Sequence, residues 1–244
     1  MLCWFMAFRR TGTLSAALAV AAAFAPPASA VAGGRVAAAG ESPYILSVRR
    51  SGWAGWTHTC GAVLVDSDTA ITAAHCVDGP TSGIRVHYGS LDRTEGGDTV
   101  SVVSVKRHED YSAATNSHDI AIVELAVTVP ATPAKLTDSD PAPGTAAEVA
   151  GWGATADGAD LSDVLRANEI PITERATCDR RYGGAIDDSM ICAGPAACAG
   201  DEGGPLVAGG ELVGISSFGQ GRTGLPGVYA RISELHRWID DHRS

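Results

Sequence analysis

The chain has 244 residues, 45% hydrophobic and 19% charged, a globular composition long enough for one large all-β unit or two packed barrels. Its formal charge is −10, and an acidic surface argues against nucleic acid or an anionic membrane as the main partner. No stretch reaches the roughly 18 uncharged apolar residues that a membrane span needs.

The first 30 residues read as a signal peptide. Arg9 and Arg10 form a basic start, Leu14 to Phe24 an Ala-rich apolar core, and Ala28-Ser29-Ala30 a small-residue cleavage site. Cleavage there makes Val31 the first mature residue and leaves 16 basic against 28 acidic side chains. The expected location is extracellular.

Beyond Ala30 come short β-rich runs broken by Gly, Pro, Asp and Ser. They include Tyr44 to Val48, Ala62 to Val65, Thr69 to Thr72, Ile84 to Tyr88, Val100 to Val105 and Ile120 to Leu125. The second half adds Ala146 to Ala150, Val164 to Ile172, Leu206 to Ala208, Leu212 to Ser217 and Val228 to Ile232. Many short strands with turn signals between them argue for an all-β sandwich or barrel, not for βαβ units. Val129 to Gly144 holds four prolines and reads as a linker between halves of about 31–128 and 145–244. Only the last dozen residues look helical, with Ile232, Leu235, Trp238 and Ile239 on one face.

Cys3 leaves with the signal, and Cys60, Cys76, Cys178, Cys192 and Cys198 remain. In an oxidising compartment two local bridges are expected, Cys60–Cys76 and Cys178–Cys192. Cys198 is then free or joined to another chain as a linked dimer. Spacing alone does not fix this pairing. Metal binding is the alternative, but no CxxC or clustered Cys/His pattern supports it, so neither metal nor cofactor is expected.

Three segments carry chemistry. Thr72-Ala73-Ala74-His75-Cys76 sets a histidine just after a strand, and His118-Asp119-Ile120-Ala121 opens an apolar strand with an acid. Gly200-Asp201-Glu202-Gly203-Gly204-Pro205 is a glycine-rich turn before a strand, where backbone N–H groups can converge on an anion. Together they resemble the trypsin/chymotrypsin family of serine peptidases, in its chain order His, Asp, nucleophile. The likeness runs through Val31-Ala32-Gly33-Gly34, Cys60-Gly61, Gly151-Trp152-Gly153, Met190-Ile191-Cys192-Ala193-Gly194 and Pro226-Gly227-Val228-Tyr229.

The resemblance implies two packed six-stranded antiparallel barrels with a short C-terminal helix. His75 would be the general base and Asp119 the acid that holds its tautomer, with Ser217 supporting Asp119. The N–H groups of Gly200 and Glu202 would form an oxyanion hole, and Asp201 would receive the α-ammonium of Val31. Glu202 stands where the family has its nucleophilic serine. The pocket would be formed by Ala196 at its floor with Ser217, Gly219 and Gly227, favouring apolar over basic side chains. The leading expectation is therefore an inactive homologue that binds a protein or peptide. The alternative is an active endopeptidase in which Glu202 is not the natural residue.

Overall fold

In the computed structural model the residues described are 34–53, 55–154, 159–194, 199–219 and 224–243. The first barrel is built from β2 (Ile45–Gly52), β3 (Gly55–Leu64), β4 (Thr69–Thr72), β5 (Ile84–Tyr88), β6 (Asp98–Arg107) and β7 (Ala121–Leu125). They run in the order β2-β3-β4-β7-β6-β5, and β2 closes on β5 through Ser47 opposite His87. Alternation explains the inward face. Along β6, Val100 and Val102 are buried while Thr99, Ser101 and Val103 are exposed, the period of two that one-sided burial demands.

A short β1 (Arg35–Val36) precedes this barrel but pairs with the second, Arg35 opposite Ala167. The second barrel contains β9 (Ala146–Gly151), β10 (Arg166–Thr173), β11 (Met190–Ala193), β12 (Pro205–Ala208), β13 (Glu211–Phe218) and β14 (Gly227–Arg231). The order β10-β11-β14-β13-β12-β9 closes because β9 returns to β10 over Ala146 to Gly151. The fold is thus two six-stranded antiparallel barrels and a C-terminal helix, as the resemblance implies.

Two features depart from the sequence reading. The Pro-rich stretch carries β8 (Lys135–Leu136), which pairs in parallel with β13, Leu136 opposite Leu212. A second helix, α1 (Arg175–Arg181), precedes β11. It buries only Cys178, so its seven residues show no apolar stripe to read; the Cys178–Cys192 disulfide ties it to β11. The other bridge, Cys60–Cys76, links β3 to the turn after β4.

Helix α2 (Ile232–His242) follows β14 and returns to the first barrel. Ile232, Leu235 and Ile239 join one apolar cluster with Leu46, Ile71 and Val123 of that barrel, and Leu212 and Ile215 of the second. Among the described residues no helix is long and apolar enough to cross a membrane.

The Cys178–Cys192 bridge spans 14 residues, a loop whose closure is worth about 3 kcal/mol in the chain-entropy model. The double variant Cys178→Ala/Cys192→Ala should lose about that much in urea unfolding, with a steeper denaturant slope because the unbridged unfolded chain exposes more surface.

Candidate active site

Strand β4 ends on buried Thr72, and a 3-10 turn over Ala74–Val77 follows, carrying His75. Cys76 in that turn is bridged to Cys60, which clamps the histidine's backbone to β3. Asp119 is fully enclosed just before β7. Its Oδ2 accepts a hydrogen bond from His75 Nδ1 at 2.7 Å, and its Oδ1 accepts the His75 backbone N–H at 3.0 Å. Ser217 Oγ donates to Oδ2 at 2.6 Å from β13, so both barrels hold this one carboxylate. With Nδ1 protonated, the lone pair of His75 lies on Nε2. Burial pulls the imidazole's pKa down, but the hydrogen bond and charge of Asp119, with the charge of Glu202, outweigh it. The net shift is upward from the ordinary histidine value.

The turn from Gly200 to Gly204 sits where the barrels meet. Glu202 O accepts Gly61 N–H from β3 at 2.7 Å, while Gly203 N–H donates to Ser216 O at 2.7 Å. Gly203 has φ +78, and a side chain there would strike Thr72 Oγ1 and Gly61 O. A Cβ on Gly61 would in turn fall 2.9 Å from Gly204 Cα. The glycines therefore let two backbones approach at the site. Asp201 is buried, and its Oδ1 accepts Gly153 N–H at 2.8 Å. A Cβ on either Gly151 or Gly153 would collide with the Asp201 carboxylate, which accounts for the Gly-Trp-Gly segment.

The Glu202 carboxylate turns back on its own loop. Its Oε2 accepts the Gly200 N–H at 2.7 Å, a charge-assisted bond to a donor that the sequence reading assigns to an oxyanion. Glu202 acts on His75 through its charge, while the ion-pair partner of His75 is Asp119. The cleft around them is lined by His75, Arg107, Tyr111, Asn116, Phe218 and Gly219, together with Glu202 and Ser217. Gly227 opens β14, opposite Ala193. Val31, Ala196 and Cys198 lie outside the described residues, as does the signal segment.

One residue went unread in the sequence. His58 on β3 is buried, and its Nε2 donates to Gly200 O at 3.0 Å while Ser47 Oγ donates to its Nδ1 at 2.7 Å. Its ring meets Trp152 edge-on at 5.8 Å. The imidazole thereby fixes the carbonyl of the residue whose N–H Glu202 engages. Burial holds His58 in the neutral form, with its pKa down at about 4. No local signal marked it: a register shift in the pairing of β2 with β3 sets Cys60 opposite Val48 but His58 opposite Arg49, so strand parity does not carry the role of His58.

Comparison with known proteins agrees with this geometry. The family model described as Trypsin matches residues 31–239. Trypsin alpha-4 of Lucilia cuprina is 39% identical over 222 residues, covering 86% of each chain. Trypsin delta of Drosophila erecta is 38% identical over 223 residues, 86% of this chain and 87% of its own. Trypsin 5G1 of Aedes aegypti is 37% identical over 217 residues, 82% of this chain and 80% of its own.

Two titrations follow from these environments. In a proton NMR titration His75 should protonate above the ordinary histidine value, and Glu202→Gln should lower its midpoint by removing one of the charges that raise it. His58 has the opposite sign. Its folded pKa of about 4 lies below the unfolded value of 6.5, so the unfolded state binds more protons between the two. Its stabilising contribution is complete above pH 6.5 and falls as the pH drops toward 4, by about 3 kcal/mol in total. Urea unfolding of His58→Gln across that range should lack this component.

Proposed function

The chain belongs to the trypsin family, and from that premise we propose that it is a secreted member which has lost proteolysis and serves as a binding or regulatory module. The observation that carries this reading is the Glu202 carboxylate seated on the Gly200 N–H.

Acyl transfer in this family needs a hydroxyl that histidine can deprotonate, giving an ester that water then hydrolyses. Glutamate at that position supplies no such hydroxyl. A carboxylate is already ionised, and its attack on an amide would form a mixed anhydride, far less stable than an ester. It also blocks the chemistry a second time. The Gly200 N–H, required for the oxyanion of a tetrahedral intermediate, already holds an anion, and the charge of Glu202 favours the protonated state of His75. Positioning groups without a nucleophile retain about 10³–10⁴-fold over the water reaction, negligible for a peptide bond.

The rest of the machinery supports descent from a peptidase. His75, Asp119 and Ser217 keep the contacts that hold a general base in its working tautomer. The open cleft beside them accepts an extended peptide, and the two disulfides fit an oxidising compartment. No cofactor enters this reading. A mature start at Val31 would set its ammonium against Asp201. A second reading is favoured by that same intact His75–Asp119 pair: an active endopeptidase of apolar preference, if the natural residue at 202 is serine.

Glu202→Ser decides between them. The variant should gain esterase and amidase activity on activated and peptide substrates, well below that of an ordinary family member. His75→Ala in that background should abolish the gain. Hydrolysis by the unaltered chain, blocked by a serine-reactive phosphonate, would refute the inactive reading.

A further inference from the structure

The loop between β6 and β7, which lines the cleft through Tyr111 and Asn116, folds back on itself. Asn116 N–H donates to Ser112 O at 2.7 Å, Ser112 and Ser117 form a bridge, and His108 N–H donates to Ile120 O at 3.0 Å. This closure brings His118, with φ +52, against His108, their ring centroids 4.6 Å apart. Asp110, two residues beyond His108, completes the group. One ring nitrogen from each histidine and a carboxylate oxygen of Asp110 lie within 4.8 Å of one another.

We propose that His108, Asp110 and His118 form a binding site for a divalent transition-metal ion of the zinc, copper and nickel class. Two imidazoles and one carboxylate are the donor set such ions favour, whereas calcium and magnesium favour oxygen alone. Metal–ligand bonds of about 2.0–2.2 Å require donors spaced roughly 3.3 Å apart, so the group must tighten by at most about 1.5 Å. Its side chains can do so. Asp110 is exposed, and its carboxylate makes no hydrogen bond or ion pair among the described residues. Both histidines are only half-buried, leaving the open positions to water.

The supporting contacts match those of metal-binding histidines. Ser117 Oγ lies 2.9 Å from His118 Nδ1 and orients that ring, which leaves Nε2 for an ion. On its other side the His108 ring stacks on Trp238 of α2 at 4.7 Å, and Glu109 accepts the Trp238 Nε1–H at 2.7 Å. The His108 ring is therefore supported from behind by Trp238, and the Asp110 N–H donates to its Nδ1 at 3.1 Å, which leaves Nε2 for an ion. Two other acids in the neighbourhood are already engaged, Glu109 by Lys106 and Trp238 and Asp187 by Ser189, so Asp110 is the carboxylate left to the ion. The sequence reading expected no metal because His108 and His118 stand ten positions apart in the chain, a spacing that becomes a cluster only when the loop closes.

The test uses the whole secreted chain, stripped with a chelator. Zinc should bind with one-to-one stoichiometry in calorimetry and raise the thermal midpoint. Copper(II) should quench tryptophan fluorescence through Trp238, which lies against the site. Asp110→Asn alters an exposed side chain, and His118→Asn keeps a residue that tolerates positive φ, so both variants should fold, as near-ultraviolet circular dichroism can verify. Each should weaken zinc at least tenfold, while His236→Gln leaves it unchanged. Absence of zinc binding by the unaltered chain would overturn the site. So would binding unaffected by either loop variant but lost in His242→Gln, which would put the ion on His242 and Glu109.

Discussion

Everything at the centre of this molecule depends on one close approach, the passage of the Gly200–Gly204 turn between the backbones of the two barrels. Gly61 on one side and Gly203 and Gly204 on the other bring main chain to main chain, with Thr72 Oγ1 packed into the seam. Asp201 is packed into the same seam from the second barrel, over the bare faces of Gly151 and Gly153. Since protein interiors are close-packed and compress little, fixing this turn fixes the direction of the Gly200 amide and the position of residue 202. The His75–Asp119 pair then meets it from the other barrel, with Ser217 reaching across. Neither barrel holds the site alone.

Within that frame the Glu202 side chain is well accommodated rather than strained. It finds a backbone donor at 2.7 Å and lies near an imidazole whose protonated state it favours. The features that stabilise a fleeting oxyanion in an acyl-transfer enzyme also suit a permanent carboxylate, because both are anions requiring converging N–H groups. A site able to hold transient negative charge can accept a fixed one without redesign. Retention of the surrounding hydrogen bonds is thus compatible with the proposed loss of the reaction, because the same geometry also serves stability.

Much of this was legible because local rules and global packing agree. Short alternating runs such as Val100 to Val105 announced strands, and the Ile232/Leu235/Ile239 stripe announced the final helix. Cys60 with Cys76, and Cys178 with Cys192, were paired from proximity along the chain, and the disulfides join those residues. Other features had no local signal. Helix α1 has no apolar stripe, being held by one disulfide, and β8 is a two-residue pairing inside a proline-rich passage. His58 acts on Gly200, 142 positions away. A buried polar side chain reveals its purpose only when its partner is in place, and that partner is supplied by topology.

The final helix has a consequence for how the protein is made. Ile232, Leu235 and Ile239 join an apolar cluster shared by both barrels, which includes Leu46, Ile71 and Val123 of the barrel whose strands are synthesised first. A chain emerging from the ribosome therefore carries an N-terminal half that has all its strands but an unfinished core, exposing apolar surface until the last residues are released. Such a half lacks part of its apolar packing until the other is made, in contrast to proteins whose domains are each complete as they leave the ribosome. Delayed completion of this kind couples stability to the integrity of the C-terminus. Clipping away the helix would uncover apolar side chains contributed from the opposite end of the sequence.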